Sequence, residues 1–193
     1  MENQMFCYQC QETAGGKGCT AGGMCGKKPA TAHLQDVLIY VTKGLAELAT
    51  ACRREGHAVS SDVTHMLEDN LFVTITNANF DDDFITARIE DTEKAKEALR
   101  QLLPKDFFHS EAALPLDMTS TGVNPHIGVL SEKDENKRSL LELITYGLKG
   151  LSAYLRHARV LQKESEEISN FLAEALAKTL KQDLTLDDLL ALT

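Results

Sequence analysis

An all-α fold is predicted by three features of the 193-residue chain. Apolar residues recur at three- and four-residue steps over most of its length, and one helical stripe reappears after a shift of 106 residues. The segment that breaks the pattern is a glycine-rich N-terminus holding four of the five cysteines. The expected organisation is a Cys-rich loop over 1–28, a first three-helix bundle over 29–104, a connector over 105–135 and a second three-helix bundle over 136–193. The second bundle reads as incomplete.

The first helix follows Pro29, because Leu34, Val37, Leu38, Val41, Leu45, Leu48 and Cys52 share one face and Gly56 stops the run. A second starts at the Ser60-Ser61-Asp62 cap and is expected to reach about Ala78, with Val63, Met66 and Leu67 inward. Strand formers across Leu71–Thr76 leave a short strand open as its end. The third runs from the acidic start Asp81–Asp83 to Leu103 before Pro104, with carboxylates where the helix dipole favours them. Pro115, Gly122 and Pro125 mark the connector. A fourth helix is expected over Asn136–Lys163. A fifth runs from a Ser165 cap to Leu180 through Ile168, Phe171, Leu172 and Ala175, and a last short one begins at Thr185-Leu-Asp-Asp188, a capping box with Asp in place of Glu.

Shifting by 106 residues lays Leu34, Tyr40, Lys43, Gly44, Leu45 and Arg53 on the identical residues Leu140, Tyr146, Lys149, Gly150, Leu151 and Arg159. Val37, Leu38 and Leu48 fall on Leu143, Ile144 and Tyr154, so the apolar stripe repeats too. Gly44 and Gly150 each weaken a helix by about 1 kcal/mol, which leaves two explanations open: close approach of another backbone, or accidental tolerance. The sixth helix is too short to cover the fourth and fifth, so the chain reads as truncated, with self-association or further domains as the expected partners of the unfinished bundle.

The net charge of −9 argues against a nucleic-acid partner. No apolar run approaches the ~20 residues that cross a bilayer, and Met1–Met5 lacks the basic and apolar regions of a signal peptide, so a cytoplasmic, non-membrane protein is expected. There thiols stay reduced and clustered cysteines serve as metal ligands rather than disulfides, although oxidation of the loop to disulfides remains a third state. Residues 1–28 hold Lys17, Lys27 and Lys28 against Glu2 and Glu12, leaving −10 on the other 165 residues. Those lysines would soften the charge of an anionic thiolate centre, or simply be solvated surface.

Cys7, Cys10, Cys19 and Cys25 are spaced C-x2-C-x8-C-x5-C. Four thiolates on one short loop can surround one metal centre, and the intervening glycines let backbone N–H groups turn toward the sulfurs. An iron–sulfur cluster is favoured over structural zinc, because a four-cysteine zinc site usually closes with two short knuckles and only the first pair has that spacing. A thioredoxin-like role for Cys7–Cys10 lacks its preceding strand. Cys52 lies on an apolar stripe and reads as a buried hydrophobe. The six histidines form no ligand pair, Asp81–Asp83 reads as a helix start, and no catalytic residue is identified.

The run from Met5 to Lys27, together with Leu34-Gln-Asp36, Asn77-Ala-Asn-Phe80 and Tyr146-Gly-Leu-Lys-Gly150, resembles the hybrid cluster proteins, also called prismane proteins or hydroxylamine reductases. The resemblance runs along the whole chain. The cysteine spacing is similar to that of anaerobe-type members, which implies a [4Fe-4S] cubane on Cys7, Cys10, Cys19 and Cys25; a longer spacing marks members with a [2Fe-2S] centre. In the family a separate hybrid iron–sulfur–oxygen cluster, held by His, Glu and Cys of later domains, reduces hydroxylamine to ammonia and in some members nitric oxide. Those later ligands have no counterpart here. The resemblance thus implies an electron-transfer domain fed by an unknown redox donor, with a helical assembly module as the alternative.

Overall fold

The computed structural model describes residues 5–10, 12–75 and 79–193. Its regular elements are six α-helices, α1 (Pro29–Arg54), α2 (Ser61–Val73), α3 (Asp82–Arg100), α4 (Glu135–Val160), α5 (Glu166–Lys178) and α6 (Leu186–Leu190), with short 3-10 turns between them. No strand forms among the described residues beyond an isolated bridge between Cys7 and Cys19. The all-α expectation therefore holds. Leu71–Val73 complete α2 rather than starting a strand: Leu71 and Val73 are buried in the core, and Thr74 turns the chain by donating to Leu71 O at 2.8 Å. Burial of a helical face outweighs the strand preference of β-branched residues. Thr76 and the expected helix end at Ala78 lie outside the described residues.

The caps follow the sequence. Pro29 opens α1, where its missing N–H would have had no helical partner. Ser60, Asp81, Ser165 and Thr185 each accept a backbone N–H at the start of α2, α3, α5 and α6, and Thr185 with Asp188 closes a reciprocal capping box. Each such cap stabilises its helix by about 1 kcal/mol.

α1 is the axis of the molecule. It packs on α3 and α5, while α2 packs on α4. The main core draws on every helix, with Leu45, Leu71, Leu99, Ile144, Leu172 and Leu189 in one cluster, so the two sequence repeats share a single interior. A second cluster sets Val37, Leu38 and Val41 of α1 against Ile85 and Ile89 of α3. A buried amide ties three helices: Asn70 of α2 donates to Thr42 of α1 at 3.0 Å and to Thr92 of α3 at 2.8 Å, and accepts from Arg88. Arg156 and Arg159 of α4 reach Glu68 and Asp69 of α2.

The connector is more than a linker. Its turn Glu111–Ala113 lies on α1, with Ala112 and Ala113 buried. A Cβ on Gly44 would stand 1.8 Å from the Ala112 carbonyl oxygen, so this glycine is required by the approach of a second main chain. At Gly150, its partner in the repeat, a Cβ would meet nothing within 4 Å. The two explanations left open by the sequence therefore split between the two glycines.

Candidate metal centre

The cysteine loop folds over the N-terminal end of α1. Cys7 and Cys19 face each other across an antiparallel bridge, each N–H donating to the other's carbonyl at 3.0 and 2.9 Å. Gly18 makes that return possible: its φ of +124° is a left-handed conformation, and a side chain there would collide with the ring of Phe6. Thr13 fastens the turn by donating to Cys7 O at 3.0 Å, with its hydroxyl 3.7 Å from Cys19 Sγ. Met5, Cys7, Cys19 and Ala32 form a small apolar cluster beneath.

The two bridged sulfurs are stabilised differently. Cys19 Sγ accepts the Ala14 N–H at 3.4 Å, and the backbone N–H groups of Ala14 and Met24 hold its thiol below the ordinary range. Burial pushes the Cys7 thiol up, partly offset by the Lys27 ammonium, whose Nζ lies 3.7 Å from Cys7 Sγ. Cys10 and Cys25 are half-buried. All five cysteines are free thiols, and among the described residues no three His, Cys, Asp or Glu side chains gather tightly enough to hold a metal ion. Cys52 is fully buried in α1 with Sγ 3.8 Å from Leu99 O, well apart in role from the loop.

The loop is keyed by polar groups to α1, to α4 and, through Gln35, to the segment ahead of α3. Lys27 Nζ donates to Gln35 Oε1, and Gln35 Nε2 donates to Asn79 O at 3.0 Å ahead of α3. Gln9, between Cys7 and Cys10, donates to Asp36 Oδ1 at 2.8 Å and accepts from Lys149 Nζ of α4. Burial pushes the Asp36 carboxyl up to about 7, against the pull of the Gln9 amide, and pushes Lys149 down to about 8, against the pull of Glu142 and Asp36. Lys43 is lowered by burial too. Asp36 and Glu142, like Lys43 and Lys149, are one repeat apart in sequence. The conjunction of Gln9, Asp36 and Lys149 was missed by sequence reasoning, although polar residues at matching repeat positions inside apolar helices were the available signal.

Three of the histidines and Asp81 have structural partners. His33 meets Thr121 at 3.1 Å, His65 meets Glu164 at 2.8 Å, and His126 meets Glu111 at 3.2 Å. Asp81 caps α3 by accepting the Phe84 N–H at 3.0 Å. Among the described residues no helix is long and apolar enough to cross a membrane.

The donor set suits an iron–sulfur group: soft thiolates on one loop, with an N–H dipole directed at one sulfur and a cation at another. Residues 5–193 match the model of the Prismane/CO dehydrogenase family. Hydroxylamine reductase of Desulfovibrio desulfuricans is 50% identical over 199 residues, covering 100% of this chain and 36% of the relative. The hydroxylamine reductases of Acetivibrio thermocellus and Clostridium perfringens are 44% and 47% identical, over 98% and 97% of this chain and 35% and 36% of their own lengths. The chain thus spans about 36% of the length of the curated relatives it matches.

Proposed function

Because the chain belongs to the Prismane/CO dehydrogenase family, we propose that it is the N-terminal electron-transfer region of a hydroxylamine reductase, with Cys7, Cys10, Cys19 and Cys25 binding one [4Fe-4S] cluster. The observation that carries this reading is the Cys7–Cys19 bridge, with the Ala14 N–H directed at one sulfur and the Lys27 ammonium at the other. When bound, the cluster supplies one-electron transfer. The chain's own residues do the rest. The bridge fixes two sulfurs in register, N–H dipoles favour the ionised form of Cys19, Lys27 offsets the charge Cys7 would carry as a ligand, and Gln9 anchors the Cys7–Cys10 turn to Asp36 and Lys149. Reduction of hydroxylamine belongs, on this proposal, to residues this chain does not carry, and the setting is a reducing cytoplasm.

Anaerobic reconstitution with iron and sulfide tests it. Four irons and four sulfides per chain are expected, with an EPR signal on reduction that is lost in Cys19→Ser and kept in Cys52→Ala. Stoichiometric zinc without sulfide would overturn the cluster assignment.

A second reading, a helical assembly module, is favoured by one observation. Leu143, Tyr146, Gly147, Gly150 and Tyr154 form a stripe along the exposed face of α4. The matching stripe of α1 is covered by α3 and by the turn Glu111–Ala113. Concentration-dependent association in light scattering, abolished by Tyr154→Lys, would support it; a monomer that binds no apolar dye would count against it.

A further inference from the structure

Three buried lysines invite comparison. Lys96, fully buried, is paired with Glu93 at 2.5 Å and donates to Leu114 O at 2.8 Å. Lys149, 3% exposed, is bonded to the Gln9 oxygen, and the Gln9 amide nitrogen donates to Asp36. Lys27 is also 3% exposed and, like Lys149, makes no ion pair with a carboxylate among the described residues; what sets it apart is its contact with a cluster-loop sulfur. Its partners are the neutral carbonyl oxygen of Gln35, the face of Phe80 at 5.9 Å and the sulfur of Cys7 at 3.7 Å. Removing an ammonium from water costs several kcal/mol unless an anion accompanies it; the Asp36 carboxyl acts on Lys27 only from beyond ion-pair distance, and the group the ammonium touches that becomes anionic on ligating a metal is the Cys7 sulfur.

The geometry also keeps the charge in place. Gln35 is fully buried, and because its Nε2 is committed to Asn79 O, its Oε1 is turned toward Lys27. The ammonium is held between that oxygen and Cys7 rather than free to reach solvent. Lys17 and Lys28 of the same loop are exposed, where water and salt screen their charge.

From this we infer that Lys27 is the fixed internal counter-ion of the cluster proposed above, a positioning residue that raises its reduction potential and is itself held in register by Gln35. The inference rests on the cluster assignment. One-electron reduction makes a thiolate-bound cluster one charge more negative while iron–sulfur connectivity is kept. A cation at fixed short range in a medium of low dielectric stabilises the reduced state more than the oxidised one.

The test is an EPR-monitored redox titration of the reconstituted protein with a low-potential chemical reductant, beside iron and sulfide analysis. Lys27→Met and Lys27→Gln are expected to keep four irons and shift the one-electron equilibrium at least tenfold toward the oxidised form, a midpoint lowered by about 59 mV or more. Lys27→Arg is expected to restore most of that shift, Gln35→Leu to reproduce part of it, and Lys28→Met to leave the midpoint unchanged. Neutral variants with the wild-type midpoint overturn the inference. If the neutral variants lose the cluster while Lys27→Arg keeps it, the counter-ion role stands as a requirement for assembly. If Lys27→Arg loses it as well, with native helix content by circular dichroism, Lys27 acts by shape and the inference falls. Failure of the wild-type protein to take up iron and sulfide would instead sink the cluster assignment itself.

Discussion

Helices α1 and α4 are both 26 residues long and carry the same repeat, yet one is a core and the other is half a surface. Val37, Tyr40, Val41 and Leu48 are at most 6% exposed, whereas Leu143, Tyr146 and Tyr154 are 56%, 46% and 77% exposed. One edge of the stripe behaves alike in both copies: Leu38 and Ile144 are both buried, and so are the neighbouring Thr42 and Leu148. The stripe is therefore a capacity for burial that the sequence confers twice and the fold fulfils in full at α1 and only in part at α4. What fulfils it at α1 is a long helix and an alanine turn, α3 and Glu111–Ala113; at α4, which also packs on α2 and α5, the element in the place of α3 is the five-residue α6.

Paired substitutions at matching positions sharpen this contrast. The largest difference is expected at the glycines. Gly44→Ala forces two main chains apart and should cost upward of about 3 kcal/mol in urea unfolding, the top of the usual overpacking range. Gly150→Ala has open space and should stabilise by about 0.5–1 kcal/mol, because the helix loses a flexible residue. Equal effects at both sites would break the comparison.

Next in size is truncation of the stripe itself. Leu48→Ala removes a fully buried side chain and should cost about 3 kcal/mol. Tyr154→Ala, one repeat later, should change stability by no more than about 0.5 kcal/mol in the same measurement.

The smallest effect concerns charge. The Asp36 carboxyl is raised to about 7 in the fold, so its protonated form favours folding; that contribution is full below about pH 4 and is lost as pH rises through about 7. Lys149, lowered to about 8, runs the other way, its contribution present above about 10.5 and lost as pH falls through about 8. Between pH 4 and 7 the Asp36 effect therefore stands alone of the two. Wild type should lose on the order of 2 kcal/mol relative to Asp36→Asn across that window, read as a converging pair of urea midpoints.

Much of this molecule is legible in its sequence because the relevant physics is local. Ser60, Asp81, Ser165 and Thr185 were readable as caps from residue type and spacing, and each accepts the expected N–H. The loop of Cys7, Cys10, Cys19 and Cys25 stands out because four sulfurs within 19 residues have few other uses. The charges that surround it were less readable. Lys149 reaches Gln9 across 140 positions, and Gln35 reaches Asn79 across 44, distances over which periodicity carries no information.

By itself, then, the sequence determined the helices, their caps, the repeat and the thiol loop, since each follows from steric preference, local hydrogen bonding or spacing along one segment. Tertiary structure alone decided which copy of the stripe is buried in full, which glycine is indispensable and which lysine stands beside a sulfur. Those outcomes depend on what lies opposite a residue in space, and burial, close approach and a low dielectric exist only once another segment has arrived there.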